Sequence, residues 1–578
     1  MSTGRGLRSW AIRGLRAWVI LGVTAIVVFL TLGIWRLFPI YSDEIVYRAW
    51  DSRTFFEGFE RTRVWSFCGD PGQTVSIPYI FYPAATVFAG NFFIEDLSYN
   101  RVIAILAMMA SFLMLWFALK RLASNEGEVG PAPPQTWPTA PKLIFCSAVL
   151  LCCLGTIPAT LVMLRGETGI YVLVAVLVLS FADSRTSLSR SGLTAGFVLL
   201  VFSVSLFQHP KALYFLPASA IAMFALLWNR SRLACMAAVS CLAWTGAEGY
   251  QINKIQFLSC PDIPRYEEYV RSFNVEAAKL FADPASFVAE VLQNVGPEHL
   301  LKIVRKSMFV DAYDVGYLPP VNDNILVEIT NSAIGICWII LVLVSIGVVI
   351  WDLLRIQDNL FRPAASRRRE ELIELVGMLA LYAGAMAQMF LNKTAWFYDC
   401  SYWFWIFIFL AAPSLLRALK ARLTADNYAI KRSLAGGFCL VLLSSILSTV
   451  LSVETFYQDF NSGFGGPGIP IVTLNPAATK LSIERALAQC ELSPAAPRLM
   501  VDDLTYPFVQ RSYKPISVSY ALFLTSFLTS SGISPQEAVI RAKALGSSGM
   551  IFRCSNATAF PNLSFKEDGG ICCTKFGE

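Results

Sequence analysis

Long apolar runs recur along almost the whole of this chain, and no other feature limits its fold so tightly. Stretches able to cross about 30 Å of hydrocarbon run from Ala17 to Ile40, Arg101 to Leu119, Leu143 to Leu164, Leu193 to Phe207, Leu213 to Trp228, Ser332 to Trp351, Ile373 to Leu391, Tyr402 to Leu416 and Leu434 to Leu451. Thr168 to Ala182 and Leu233 to Ala247 are shorter; leaving either out breaks the alternation of charged loops. Of 578 residues, 55% are hydrophobic and 15% charged, where a soluble domain carries about a quarter charged. Such a chain has too little polar surface to solvate itself, which excludes a cytosolic enzyme, a disordered protein and a nucleic-acid binder.

Sidedness follows from the cations. Met1 to Arg16 holds arginines and no acids, as a cytoplasmic end before an uncleaved first helix does. The loops with Lys120-Arg121, Arg185 and Arg190, Arg230 and Arg232, Arg367-Arg368-Arg369, and Arg417 through Arg432 then fall on the same side if the chain crosses about eleven times. Most of the cations behind the formal net charge of +6 therefore set topology and say little about partners. The expected fold is a polytopic α-helical membrane protein with its C-terminus outside. Residues 1–451 form the transmembrane module, with outer loops at 41–100 and 248–331, and residues 452–578 form a small exocytoplasmic α/β domain.

In the first outer loop, Asp43 to Arg63 mixes Tyr47, Trp50, Phe55, Phe56 and Phe59 with charges, the pattern of a helix lying on the membrane. Val75 to Ile94 is apolar but broken by Pro78, Pro83 and Gly90; as a further span it would invert everything downstream, so it also reads as lying on the surface. In the tail, helix-like stretches (Ala477 to Cys490, Pro535 to Leu545) alternate with strand-like ones (Arg498 to Val501, Met550 to Cys554), which gives the α/β reading.

The spans are almost free of ionisable residues, whereas ion-coupled transporters keep charges at mid-bilayer depth. Charges gather instead in outer connections: Asp43-Glu44, Arg165-Gly166-Glu167, His209-Pro210-Lys211, and Lys393 with Tyr398 and Asp399. Cations there run against the positive-inside rule, and an anionic ligand at the outer surface is one reason for them; snorkelling anchors in the head-group zone are the plainer one. A lipid-linked phosphate would sit at this level. Asp43 and Glu44 stand where a carboxylate can take a proton from an acceptor hydroxyl, Asp43 being the first choice. An acidic cap on the surface helix explains the same pair without chemistry.

In order, these features resemble the GT-C superfamily of membrane glycosyltransferases, which includes protein O-mannosyltransferases, lipid A aminoarabinose transferases and mycobacterial arabinosyltransferases. The matching pieces are Tyr41-Ser42-Asp43-Glu44-Ile45-Val46-Tyr47, Tyr82-Pro83, Asn100-Arg101, Arg165-Gly166-Glu167, and His209-Pro210-Lys211 with Pro217. The resemblance implies transfer of a sugar from a polyprenyl-phosphate-linked donor to a cell-envelope acceptor on the outer face of a bacterial inner membrane. It casts Asp43 or Glu44 as the base, Arg165, Lys211, Lys393 and His209 as donor-phosphate ligands, and Glu167, Tyr398, Asp399 and Arg101 as acceptor or support residues. With a single base and no second carboxylate placed as nucleophile, the transfer would invert the anomeric centre. No cofactor is expected, and in the absence of an Asp-x-Asp motif no divalent metal is implied. Alternatives are an O-antigen polymerase or ligase, or a lipid or solute transporter.

Two further readings concern the tail and the thiols. Val501-Asp502-Asp503 ends a predicted strand, where α/β sheets place ligand groups; capping of the next helix is the plainer reading. Cys146, Cys152, Cys153, Cys235, Cys241, Cys337 and Cys439 lie in or beside spans, while Cys68, Cys260, Cys400, Cys490, Cys554, Cys572 and Cys573 read as outer residues able to form disulfides. Some of the tail cysteines are expected to staple the C-terminal strand, and Cys68 is a candidate partner for Cys260.

Overall fold

The computed structural model describes residues 23–24, 26–28, 30–31, 101–124, 140–163, 165–183, 188–258, 275, 279–308, 325–361, 366–393, 397–422, 428–462, 476–496, 498–502, 505, 508–509, 513–518, 535–544 and 546–577. Asp43, Glu44, Cys68, Cys260 and the surface helices expected in the first outer loop lie outside the described residues.

The membrane module is built from α1 (Arg101–Ser124), α2 (Ala140–Leu151), α3 (Ile157–Val162), α4 (Thr168–Asp183), α5 (Leu188–Gln208), a 3-10 turn (Pro210–Phe215), α6 (Leu216–Leu227) and α7 (Arg232–Leu258). After a single turn at Lys279–Ala282 come α8 (Pro284–Asn294), α9 (Pro297–Lys306), α10 (Ile325–Leu360), α11 (Ser366–Leu391), α12 (Phe397–Arg422) and α13 (Tyr428–Ser462). Among the described residues, 5 helices are long and apolar enough to cross a membrane, with shorter apolar helices at Ala140–Leu151, Thr168–Ala182, Ser191–Leu206 and Lys211–Leu227.

In α10 the pattern is the reverse of a water-soluble helix. Thr330, Ile334, Cys337, Trp338, Leu341, Ser345, Val348 and Asp352 recur at helical spacing on the buried face, while Ile329, Ile336, Ile339, Leu343, Ile346 and Leu353 are exposed. An apolar outer face with hydroxyls and a carboxylate turned inward suits a lipid solvent. Helix α12 is buried on most sides: Trp403, Trp405, Ile406, Phe409 and Leu410 are all within the core, and α1, α2, α3, α4, α9, α10 and α11 pack around it. Trp405 stacks on Phe409 with centroids 3.9 Å apart and meets Tyr171 of α4 at 4.6 Å. This central helix brings a carboxylate, Asp399, to one end of the bundle and a guanidinium, Arg417, to the other.

Two expectations need correction. The run Leu143 to Leu164 is not one helix: α2 stops at Leu151 and α3 restarts at Ile157 with Pro158 in its first turn. Gly155 between them sits at φ +56, and a Cβ there would lie 1.8 Å from the Ser307 carbonyl oxygen. Close backbone approach, which only glycine permits here, breaks the helix, and Ser448 Oγ receives the Gly155 N–H at 2.9 Å. Cys400 is not an outer thiol. Helix α12 starts at Phe397, ahead of the apolar run, so Cys400 is already inside the packing and is a free, fully buried cysteine.

The tail holds α14 (Pro476–Gln489), β1 (Arg498–Asp502), β2 (Lys514–Val518), α15 (Pro535–Ala544), β3 (Gly549–Arg553), β4 (Lys566–Asp568) and β5 (Ile571–Lys575). The strands form a 5-stranded sheet in the order β2-β1-β3-β5-β4. β1 pairs in parallel with β2 and β3, and β5 runs antiparallel to β3 and β4. Disulfides Cys490–Cys573 and Cys554–Cys572 tie β5 to the end of α14 and to the turn after β3. Asp502, at the end of β1, is fully buried. Its carboxylate accepts from the N–H groups of Thr505 (2.6 Å) and Arg553 (3.0 Å) and from Asn556 Nδ2 (3.1 Å), so it ties the turn after β1 to the end of β3.

Candidate functional site

At one end of the bundle, the start of α4, the 3-10 turn, the end of α11 and the start of α12 bring together charged side chains from distant parts of the sequence. Arg165 and Glu167 flank Gly166 in the tight connection into α4. A Cβ at Gly166 would lie 2.9 Å from the Gln208 carbonyl oxygen, so glycine lets this turn press against the end of α5. Thr168 N–H donates to Arg165 O at 3.1 Å and Ile170 N–H to Glu167 O at 2.9 Å; the helix start fixes both residues. His209 caps the 3-10 turn: its Nδ1 accepts the Lys211 N–H at 3.2 Å, and Pro210 supplies the preset φ of the first position. The Lys211 carbonyl in turn accepts from Gln388 Nε2 of α11 at 3.0 Å. Gly384, a turn earlier in α11, allows the approach: its Cβ would stand 2.7 Å from Tyr214 O.

Within this frame Arg165 forks onto Glu167, with Nε 3.2 Å from Oε2 and Nη2 3.4 Å from Oε1, and lies 3.7 Å over the Tyr398 ring. Lys211 Nζ joins two carboxylates, donating to Glu167 Oε1 at 3.1 Å and to Asp399 Oδ1 at 2.6 Å. The second oxygen of Asp399 accepts from Asn392 Nδ2 at 3.1 Å. Side-chain exposure is 5% for Glu167 and Asp399, 6% for Arg165 and 20% for Lys211, so Lys211 is the more open of the two cations.

Among the described residues, two cations face two carboxylates in this set. Burial alone would raise the Glu167 carboxyl, but Arg165, Lys211 and His209 together hold it well below the usual carboxylate range. Burial pushes the His209 imidazole down to about 3 against the pull of Glu167, so it is neutral. Because its Nδ1 accepts a hydrogen bond, the ring proton belongs on Nε2, which lies 3.5 Å from Glu167 Oε1.

Thus Arg165, Glu167, His209, Lys211, Tyr398 and Asp399 converge. Lys393 stands in an adjoining cluster, 2.9 Å from Glu290 Oε2. Arg101 is fully buried at the first position of α1. Gln388 and Tyr402 were not singled out from sequence, and Asn392 only for its sequon; the spacing Gln388, Asn392 puts two amides one helical turn apart, and Tyr402, one turn after Tyr398, has its ring 5.5 Å from Lys211 Nζ. Asn392 also opens an Asn-Lys-Thr sequon, but its amide is buried against Asp399.

No family model matches the chain, and no curated protein matches it. Among solved structures, the crystal structure of ArnT from Cupriavidus metallidurans bound to undecaprenyl phosphate is similar over 96% of this chain and 98% of that one, with 14% identity and a TM-score of 0.47.

Proposed function

We propose that this chain is an integral membrane glycosyltransferase with the GT-C layout. It would move a sugar from a polyprenyl-phosphate-linked donor to an envelope glycan, lipid or protein on the exocytoplasmic face. The observation that carries the reading is the convergence of Arg165, Glu167, Lys211 and Asp399 in one buried, charge-balanced set at the ends of the helices. The proposed organisation is about eleven spans in residues 1–451, with residues 452–578 exocytoplasmic; the two tail disulfides favour an oxidising side.

In this mechanism the donor phosphate reaches the site through Lys211 and Lys393. Cleaving the anomeric C–O bond places negative charge on the departing phosphate, and cations already fixed nearby stabilise that charge more than the ground state. The described cations are already paired with carboxylates, so a cation has to be shared with the phosphate. Arg165, forked onto Glu167 and stacked over Tyr398, is held in place; Lys211, a point charge on a flexible stem, is the one able to lean toward phosphate. Asp399 and Glu167 then act as positioning residues, neutral His209 fixes the turn, and Arg101 supports the wall. Asp43, with Glu44 as second choice, takes the acceptor proton, and attack from the face opposite the phosphate inverts the anomeric centre.

The test is transfer of labelled sugar from extracted lipid-linked donors in membranes containing the chain. Asp43→Asn combined with Glu44→Gln should abolish transfer while leaving the protein inserted; full activity in that variant would overturn the proposed base. Movement of labelled lipid across proteoliposomes without covalent transfer would instead make the chain a transporter.

A further inference from the structure

The tail carries a buried charge of its own. β1 lies between β2 and β3 and runs parallel to both, so the chain turns to one side of β1 first and to the other after α15. At such a reversal the carboxyl ends of parallel strands open a crevice, the usual place for a ligand. The residues that end β1 and β3 are Asp502 and Arg553.

Arg553 is 8% exposed, and its guanidinium makes no hydrogen bond or ion pair among the described residues; the bond it gives Asp502 comes from the backbone N–H, at 3.0 Å. The guanidinium feels the Asp502 charge, but that carboxylate is already engaged by N–H donors from Thr505, Arg553 and Asn556. Burial pushes Arg553 down to about 10 against the pull of Asp502, so it is still charged at neutral pH. A buried charge without a partner is expensive, and proteins ordinarily pair it. Thr505, held at the same carboxylate by its N–H, is 1% exposed, and its hydroxyl also has no hydrogen-bond partner among the described residues. The strand ends thus offer a guanidinium, which only donates, and a hydroxyl, which can donate; both call for acceptor oxygens. One guanidinium next to an existing carboxylate balances a single negative charge at most. A carboxylate meets that limit and matches the planar fork with two oxygens; a phosphate monoester, with about two charges, exceeds it.

We propose that the crevice at the ends of β1 and β3 binds the carboxylate of an acidic sugar or small organic acid, with the Arg553 guanidinium as the fork and the Thr505 hydroxyl as a further donor. Asp502 is a positioning residue: its carboxylate fixes the backbone of both and disfavours a doubly charged anion. The site is separate from the sugar-transfer chemistry proposed above and does not depend on it.

The test is equilibrium binding of radiolabelled glucuronate, acetate and glucose to the full-length chain in detergent, with inorganic phosphate as a competitor. Glucuronate should bind and glucose should not. Acetate binding as tightly as glucuronate assigns the site to small acids in general; weaker acetate binding assigns it to acidic sugars. Arg553→Lys keeps the charge but loses the fork and should weaken binding about tenfold, a loss of about 1.4 kcal/mol. Arg553→Met should abolish binding, and Thr505→Val should weaken it roughly threefold. Because the guanidinium has no partner in the free chain, Arg553→Met should leave the protease resistance of the tail and its disulfides intact, an outcome that a structural ion pair does not predict. No binding of either acid, equal binding of glucuronate and glucose, unchanged binding in Arg553→Met, or loss of protease resistance in that variant would overturn the site. Phosphate displacing the label at a lower concentration than unlabelled glucuronate would overturn the assignment to a carboxylate.

Discussion

Helix α12 carries a charge at each end, and the two ends are built differently. At its first turn Asp399 has both carboxylate oxygens engaged: Lys211 donates to one at 2.6 Å and Asn392 to the other at 3.1 Å, and Lys211 is held in turn by Glu167. At the opposite end Arg417 lies 3.2 Å from Glu374 and 4.0 Å from Asp352, and neither oxygen of Asp352 accepts a hydrogen bond among the described residues. Arg355 and Glu371 form a further pair there. Both ends bury charge. Among the described residues, only the Asp399 end does so with directed hydrogen bonds from several elements, the kind of construction that holds a group in one orientation. The Arg417 end gathers charge without such a set. The lesson is that intramembrane charge marks a site less by its presence than by how completely its geometry is specified.

The largest effect that would break this contrast comes from Lys211→Met. It leaves two buried carboxylates sharing one guanidinium, and removing one partner of such a set costs about 3–5 kcal/mol. The melting temperature in detergent should drop sharply. Adding Asp399→Asn should recover much of the stability without recovering transfer, since charge balance returns and the mobile cation does not.

Arg165→Lys comes next. It keeps the charge but loses the fork onto Glu167 and the planar stack on Tyr398. Transfer should fall roughly tenfold or more with a stability loss of about 1–2 kcal/mol, because lysine cannot reproduce bidentate geometry.

A third prediction uses pH. The folded pKa of His209 is depressed to about 3, against about 6.5 for free histidine. Between those values the unfolded chain binds the extra proton, so the stability present above about pH 6.5 is lost as pH falls, by up to about 1.4 kcal/mol per unit. In His209→Asn, where the amide oxygen can still cap the turn, the acid side of the stability profile should become shallower by that slope. An unchanged profile would contradict a neutral, half-buried His209.

The smallest effect belongs to the other end. Arg417→Lys keeps the positive charge beside Glu374 and Asp352 and should leave transfer unaltered. A large loss of transfer there would erase the distinction between the two ends.

Much of the helix layout was legible from apolar runs alone. The tail elements were too, because Arg498 to Val501 and Met550 to Cys554 have the β-rich, turn-bounded pattern of buried strands. The break at Gly155 was hidden because the run Leu143 to Leu164 is continuously apolar; the cause is the Ser307 carbonyl, about 150 residues away in sequence and visible only in three dimensions. At the site, the charged connections could be picked out, since cations on the outer side conflict with topology. Their pairing could not. Lys211 and Asp399 are 188 residues apart, and no spacing rule reveals that Asp399 neutralises Lys211 rather than facing solvent. Glu290, the partner of Lys393, was missed because, in an amphipathic outer-loop helix, isolated charges are the ordinary composition.

The central claim is that the outer end of the bundle handles a lipid-linked phosphate during transfer. The most direct measurement is release of free polyprenyl phosphate from a labelled pool of polyprenyl-phosphate sugars by the purified chain, comparing wild type with Lys211→Met/Asp399→Asn. Release that depends on wild-type chain and is lost in the charge-balanced double variant, whose fold survives, is the predicted result. Equal release by both proteins, or none by the wild type with any sugar in the pool, would contradict it.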